Sequence, residues 1–173
     1  MDFDQASEVI AEVDARERDD RSTRLVHLTN ELPGDDIGFS GQAAEWLFED
    51  VKATWLYGYF TATVLTSHAF CTHQLAGLIR MLPDDPSLPE SAGSLEDLAE
   101  ICERQGVIGI DLRAKLVALH DIASVYLSAG LHEYGAQLEQ HVIESELFTD
   151  EQSLATDARA ALECSIALLH RRS

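Results

Sequence analysis

An all-α helical bundle of about six to seven helices is the fold this sequence predicts, and three observations predict it. Apolar residues recur at intervals of three and four over most of the chain, no alternating run long enough for a strand occurs, and glycine and proline gather in a few short breaks. With 173 residues, 46% of them hydrophobic, the chain suits one globular domain rather than a disordered polymer.

The first expected element is a charged N-terminal helix within residues 1–30. It carries Val9, Ile10 and Val13 and then the run DARERDDRSTR. Arg18, Arg21 and Arg24 recur every third residue among acids, which on a helix makes a drifting stripe. Acids so close by favour a solvated face of paired charges over a phosphate-contacting edge. ELPGDDIGFSG, residues 31–41, breaks the pattern before the main helical region, 40–173. A helix then starts after Ser40 and carries Trp46, Leu47, Val51 and Trp55, with a tight corner at Tyr57-Gly58-Tyr59.

The next helix, 59–82, places Phe60, Val64, His68, Cys71, Leu75, Leu78 and Leu82 on one stripe. Ala62, Ala69 and Ala76 run beside it and would let a neighbouring helix approach closely. Three of the four prolines fall in MLPDDPSLPESAGS, residues 81–94, which must be a loop. Ser94 with Asp97 forms a capping-box start for SLEDLAEICERQ, and Gly106 fits its C-terminal cap. A further helix begins near Asp111 with Leu112, Leu116, Leu119, Ala123 and Tyr126 on one face. A shorter helix is expected over 131–146. Thr149 with Gln152 then caps a last helix carrying Leu154, Ala158, Ala161, Leu162, Cys164, Ile166 and Leu169.

Charge is the strongest compositional signal. There are 31 acidic against 12 basic residues, a formal net charge of -19, and only Lys52 and Lys115 are lysines. Such a balance resembles that of proteins from a cytoplasm at molar salt, where a Debye length of roughly 3 Å screens the self-repulsion. It also disfavours RNA or nucleotide binding, because each phosphate contact wants a cation. Cys71, Cys102 and Cys164 lie far apart without a C-x-x-C and read as reduced, buried thiols. MDFDQASEVIAEVD has no basic segment followed by an apolar run, so a cytoplasmic location is expected. The uncharged stretch between Lys52 and Arg80 is rich in Thr, Ser, His and Gln and is interrupted by Gly58, so no membrane span is expected.

Chemistry-bearing patterns are sparse. His68 and Cys71, three apart, could share a metal, with His73, His120, His132 and His141 elsewhere; yet H-E-x-x-H and Glu-x-x-His are absent and His68 lies among core positions. A core histidine is the expected reading, with no metal and no cofactor. No G-x-S-x-G occurs, and neither Ser124 nor Ser128 has a context that supplies a base.

Taken as a layout, residues 45–170 resemble the HEPN superfamily of helical toxin- and defence-related domains. EDVKATWLYGYFTATVLTSHAFCTHQL is similar to the family's helix pair joined at a glycine-tyrosine corner. SLEDLAEICERQGVIGIDLRAKLVALHDI is similar to the segment leading to the active motif, SVYLSAG stands where that motif closes, and TDEQSLATDARAALECSIALLHR is similar to the terminal helix. Active members carry an Arg, a polar neighbour and a His about five positions after the Arg, and two copies of these meet in a dimer cleft to hold phosphate and transfer a proton. On this chain the Arg position falls at Ala123, the polar neighbour at Ser124 and the His at Ser128. A methyl group cannot bind phosphate and a hydroxyl cannot replace imidazole as a base. The resemblance therefore implies a non-catalytic homodimer with a binding or regulatory role toward a protein partner, in a defence or toxin-related system. A divergent, metal-independent ribonuclease using Arg113 and His120 is the alternative, and a small-ligand or metal-binding bundle using His68 and Cys71 is the third reading.

Overall fold

The computed structural model describes residues 3–32, 38–82, 93–127 and 150–170, and these form an all-α bundle without a strand. Six helices follow in order: α1 (Phe3–Glu31), α2 (Gln42–Leu56), α3 (Phe60–Arg80), α4 (Leu95–Arg104), α5 (Ile110–Leu127) and α6 (Asp150–Leu169). The expected helix over 131–146, the cap at Thr149 and most of the proline-rich loop lie outside the described residues. No helix among the described residues is long and apolar enough to cross a membrane.

Local signals set several boundaries. At the start of α4 the Ser94 hydroxyl accepts from the Asp97 N–H at 3.2 Å while the Ser94 N–H donates to Asp97 Oδ2 at 2.8 Å, a reciprocal capping box. Gly106 follows the cap at φ 69°, the left-handed conformation that ends a helix without a Cβ clash. The corner between α2 and α3 needs Gly58 for two reasons. Its φ is 74°, and a Cβ there would lie 3.3 Å from the Arg24 guanidinium.

The bundle is organised around α3, which packs on α2, α4, α5 and α6. A helix with four neighbours cannot bury a single stripe. Val64, Cys71, Leu75 and Leu78 are buried as the spacing predicts, but so are Thr63, Ser67, Phe70 and Gln74. Gln74 is satisfied by the chain before α2: its amide donates to Gly38 O at 2.8 Å and accepts from the Ser40 N–H at 2.9 Å. Phe70 stacks in tilted fashion on Phe48, which meets Phe39, with centroid separations of 5.1 and 5.9 Å. On this scale each fully buried side chain contributes about 1.5–3 kcal/mol. His68 and Phe60 on the predicted stripe are only half-buried.

One large aromatic residue of α2 faces water. Trp46 is 62% exposed, whereas α2 buries Ala44, Phe48, Val51 and Trp55. Those four are spaced four, three and four apart and share one helical face; Trp46, two positions from both Ala44 and Phe48, falls on the opposite side.

Helix α1 runs 29 residues, about 44 Å at 1.5 Å per residue. Within the helix, residues 11–20 are exposed and Leu28 is buried. Two reciprocal bonds clasp it to α2: Arg24 Nε donates to Leu56 O at 3.0 Å, and Trp55 Nε1 donates to Arg24 O at 3.3 Å. The other end of the bundle joins in through His170 Nε2, 3.4 Å from Glu31 O.

Candidate functional site

Helix α5 carries most of the residues singled out by sequence. Its buried stripe is Leu116, Leu119, Ala123 and Tyr126, and Ala123 has no exposed surface. Position 123, where the resemblance leads one to expect an arginine, is thus closed within one chain. Ser124, next to it, is exposed, and its hydroxyl donates to His120 O at 2.8 Å, a bond within the same helix. Ser128 lies outside the described residues. Tyr126 ties α5 to α6 by donating its hydroxyl to Asp157 Oδ2 at 2.8 Å.

Arg113 and His120 turn to different helices. Arg113 Nη1 lies 3.2 Å from Glu103 Oε2 on α4, with both side chains about one-third exposed, and its buried Nε has no hydrogen-bond partner. His120 turns to α3, where its Nδ1 lies 3.2 Å from His68 Nε2 and the two rings stack at 5.5 Å with 28° between planes. In such a bond one nitrogen donates its N–H and the other accepts through its lone pair, and the tautomer decides which ring does which. Burial, and secondarily the neighbouring His120, push His68 below its ordinary value of 6.5. Asp97 on α4 belongs to the same junction. Its carboxyl is held below the usual carboxylate range by the Ser94 backbone and side-chain bonds, with His120 adding a smaller attraction. Three helices therefore meet at a Ser94–Asp97, His120, His68 group, and among the described residues no guanidinium contacts its two rings.

His68 and Cys71 are not brought together. Cys71 looks away from His120 toward α6, where its Sγ lies 3.8 Å from Ser165 Oγ and beside Cys164. Burial pushes its thiol well up, Cys164 adds to this, and the Ser165 bond opposes it in part. A thiol so placed stays protonated, the form that does not ligate a metal. Among the described residues no group of three His, Cys, Asp or Glu side chains is arranged to hold a metal ion.

Sequence spacing missed the His68–His120 contact because it joins residues 52 apart on two helices, and nothing local to either residue signals it. The role of Asp97 was visible as a cap, but its nearness to His120 was not.

Comparison with protein-family models, with curated proteins and with solved structures gives no match for this chain.

Proposed function

We propose that this chain is a non-catalytic, HEPN-like module that works as a homodimer and binds or regulates a protein partner, in a defence or toxin-related setting. The observation that carries the reading is Ala123. It stands at the position of the family's arginine, is 0% exposed and contributes its methyl group to the core rather than to a cleft. Around it, the Ser124 hydroxyl turns back on its own helix, and Arg113 and His120 engage α4 and α3 respectively. Residues that would have to converge on a phosphate are instead spent on holding helices together.

A pairing face is available on the outer side of α5 and α6. Ala118, Leu119, Ile122, Ala160 and Ala161 line a shallow groove of about 130 Å³ rimmed by Lys115 and Glu163. Small residues let a second helix pair approach closely. The rim carries both signs of charge, Lys115 and a Glu163 that also accepts from Arg159 Nε at 2.9 Å, so a two-fold arrangement in which the same patch serves both copies brings no like-charged rim together by necessity.

The test of the non-catalytic reading is incubation of the purified chain with single-stranded and folded RNA. Intact RNA is expected. Cleavage that disappears in both Arg113→Ala and His120→Ala would overturn the reading in favour of a divergent ribonuclease.

A further inference from the structure

A second cleft lies away from α5. One face of α1, formed by Val13, Arg16, Glu17, Asp20, Arg21 and Arg24, stands opposite Tyr57, Gly58 and Phe60 at the corner of α2 and α3. The α1 residues are spaced three and four apart or adjacent, so they share one side of the helix. The enclosed space is about 300 Å³, the lower end of the range for small-molecule sites.

Arginine sets its chemistry. Three of the chain's ten arginines line this one cleft in a protein of net charge -19. Two of them are held in place by the fold. Arg24 donates its Nε to Leu56 O at 3.0 Å, rests where a Cβ on Gly58 would touch it, and lies 5.9 Å from the centre of the Phe60 ring. Arg21 is fixed between Glu17 Oε2 at 3.3 Å and the Tyr57 ring, whose centre is 6.0 Å away. A guanidinium has five N–H donors, so each retains donors after these contacts. Their positions are set before any ligand arrives, which lowers the ordering cost of binding. Tyr57 is 56% exposed and leaves ring surface open beside these cations.

Cations beside exposed rings recognise a planar ring that carries an oxyanion: the guanidinium binds the charge in fork geometry and the rings stack. Glu17 and Asp20 on the same wall limit the charge the cleft accepts, and so argue against an RNA strand or a polyphosphate. We propose that this cleft binds a small aromatic anion, a planar ring bearing one carboxylate or one phosphate, with Arg16 and Arg21 on the oxyanion, Tyr57 against the ring, and Arg24 as the positioning residue that seals the corner.

Titration calorimetry of the full chain with benzoate, phenyl phosphate and inorganic phosphate tests this, and the two aromatic probes separate carboxylate from phosphate. One-to-one saturable binding is expected for at least one aromatic probe, with inorganic phosphate weaker by about tenfold for want of stacking. Arg16→Ala and Arg21→Ala sit on the outer part of α1 and are each expected to weaken that probe by roughly tenfold or more. Tyr57→Leu is expected to abolish the preference over inorganic phosphate, and Asp20→Asn to strengthen binding. Absence of saturation by both aromatic probes at about 10 mM, or binding indifferent to Arg21→Ala and Tyr57→Leu in variants that melt like the parent, would overturn the proposal.

Discussion

Replacing Ala123 by Arg introduces the side chain that the proposed HEPN-like register would place there, and the structure sets what that should cost. Ala123 is 0% exposed on the α5 stripe that packs against α3 and α6, so the new side chain has no route to water that leaves the helix in place. Overpacking alone costs about 1–3 kcal/mol. An unpaired buried guanidinium adds a desolvation penalty of several kcal/mol, comparable with a whole domain's stability of about 5–15 kcal/mol. Thermal melting followed by circular dichroism in molar KCl reads this directly. At about 2–4 °C per kcal/mol for a chain of this size, Ala123→Arg should lose more than about 10 °C or fail to fold. Ser124→Arg, one residue away on the exposed side, should stay within about 0.5 kcal/mol of the parent, apart from the small contribution of its hydroxyl bond. An Ala123→Arg chain that melts within about 3 °C of the parent would refute the reasoning, because position 123 would then have to face open space.

The remaining expectations concern pH, salt and the corner. His68 sits below its ordinary 6.5 in the folded state, so the unfolded chain takes up the proton first as pH falls; the stability it contributes is complete above 6.5 and is lost as pH drops from there through the folded value. Urea midpoints measured across that window should fall with pH in the parent and flatten in His68→Gln; equal slopes would contradict the assignment. Asp97, held below 3.8, adds a second loss of the same sign only at more acid pH, and Asp97→Asn should remove it. With a net charge of -19, the melting temperature should rise as KCl goes from millimolar to molar, and a flat response would remove the case for a high-salt cytoplasm. Gly58→Ala should cost about 1–2 kcal/mol from the left-handed backbone alone. Because its Cβ would also meet the Arg24 guanidinium, the same variant should loosen α1, seen as faster amide exchange around Arg24 and Leu28; exchange unchanged there would count against the clasp.

What the sequence made legible was what neighbours in the chain decide among themselves. The Ser94–Asp97 box, the glycine stop at 106, the Tyr57-Gly58-Tyr59 corner and the α5 stripe each depend on residues within one or two turns, and each stands as expected. Burial on α3 was only half legible. Phe70, Ser67 and Gln74 are buried because α3 is surrounded, and the number of a helix's neighbours is a property of the assembled bundle. Trp46, which the sequence places on α2 with Val51 and Trp55, is out of phase with them and lies on the exposed side. The arginines of α1 divide the same way. Arg21 pairs with Glu17 four residues back, as local spacing indicates, but Arg24 reaches Leu56 across 32 residues, and that contact turns a charged helical face into one wall of a cleft.

Pairing of two copies through the α5–α6 groove is the assembly proposed above. Mass in solution tests it most directly, by light scattering on the size-fractionated chain at micromolar protein in molar KCl, where repulsion between acidic copies is screened. Twice the chain mass of 19.1 kDa is expected, falling to 19.1 kDa when Ile122→Glu places a charge in the groove. A parent chain that runs at 19.1 kDa under these conditions would contradict it.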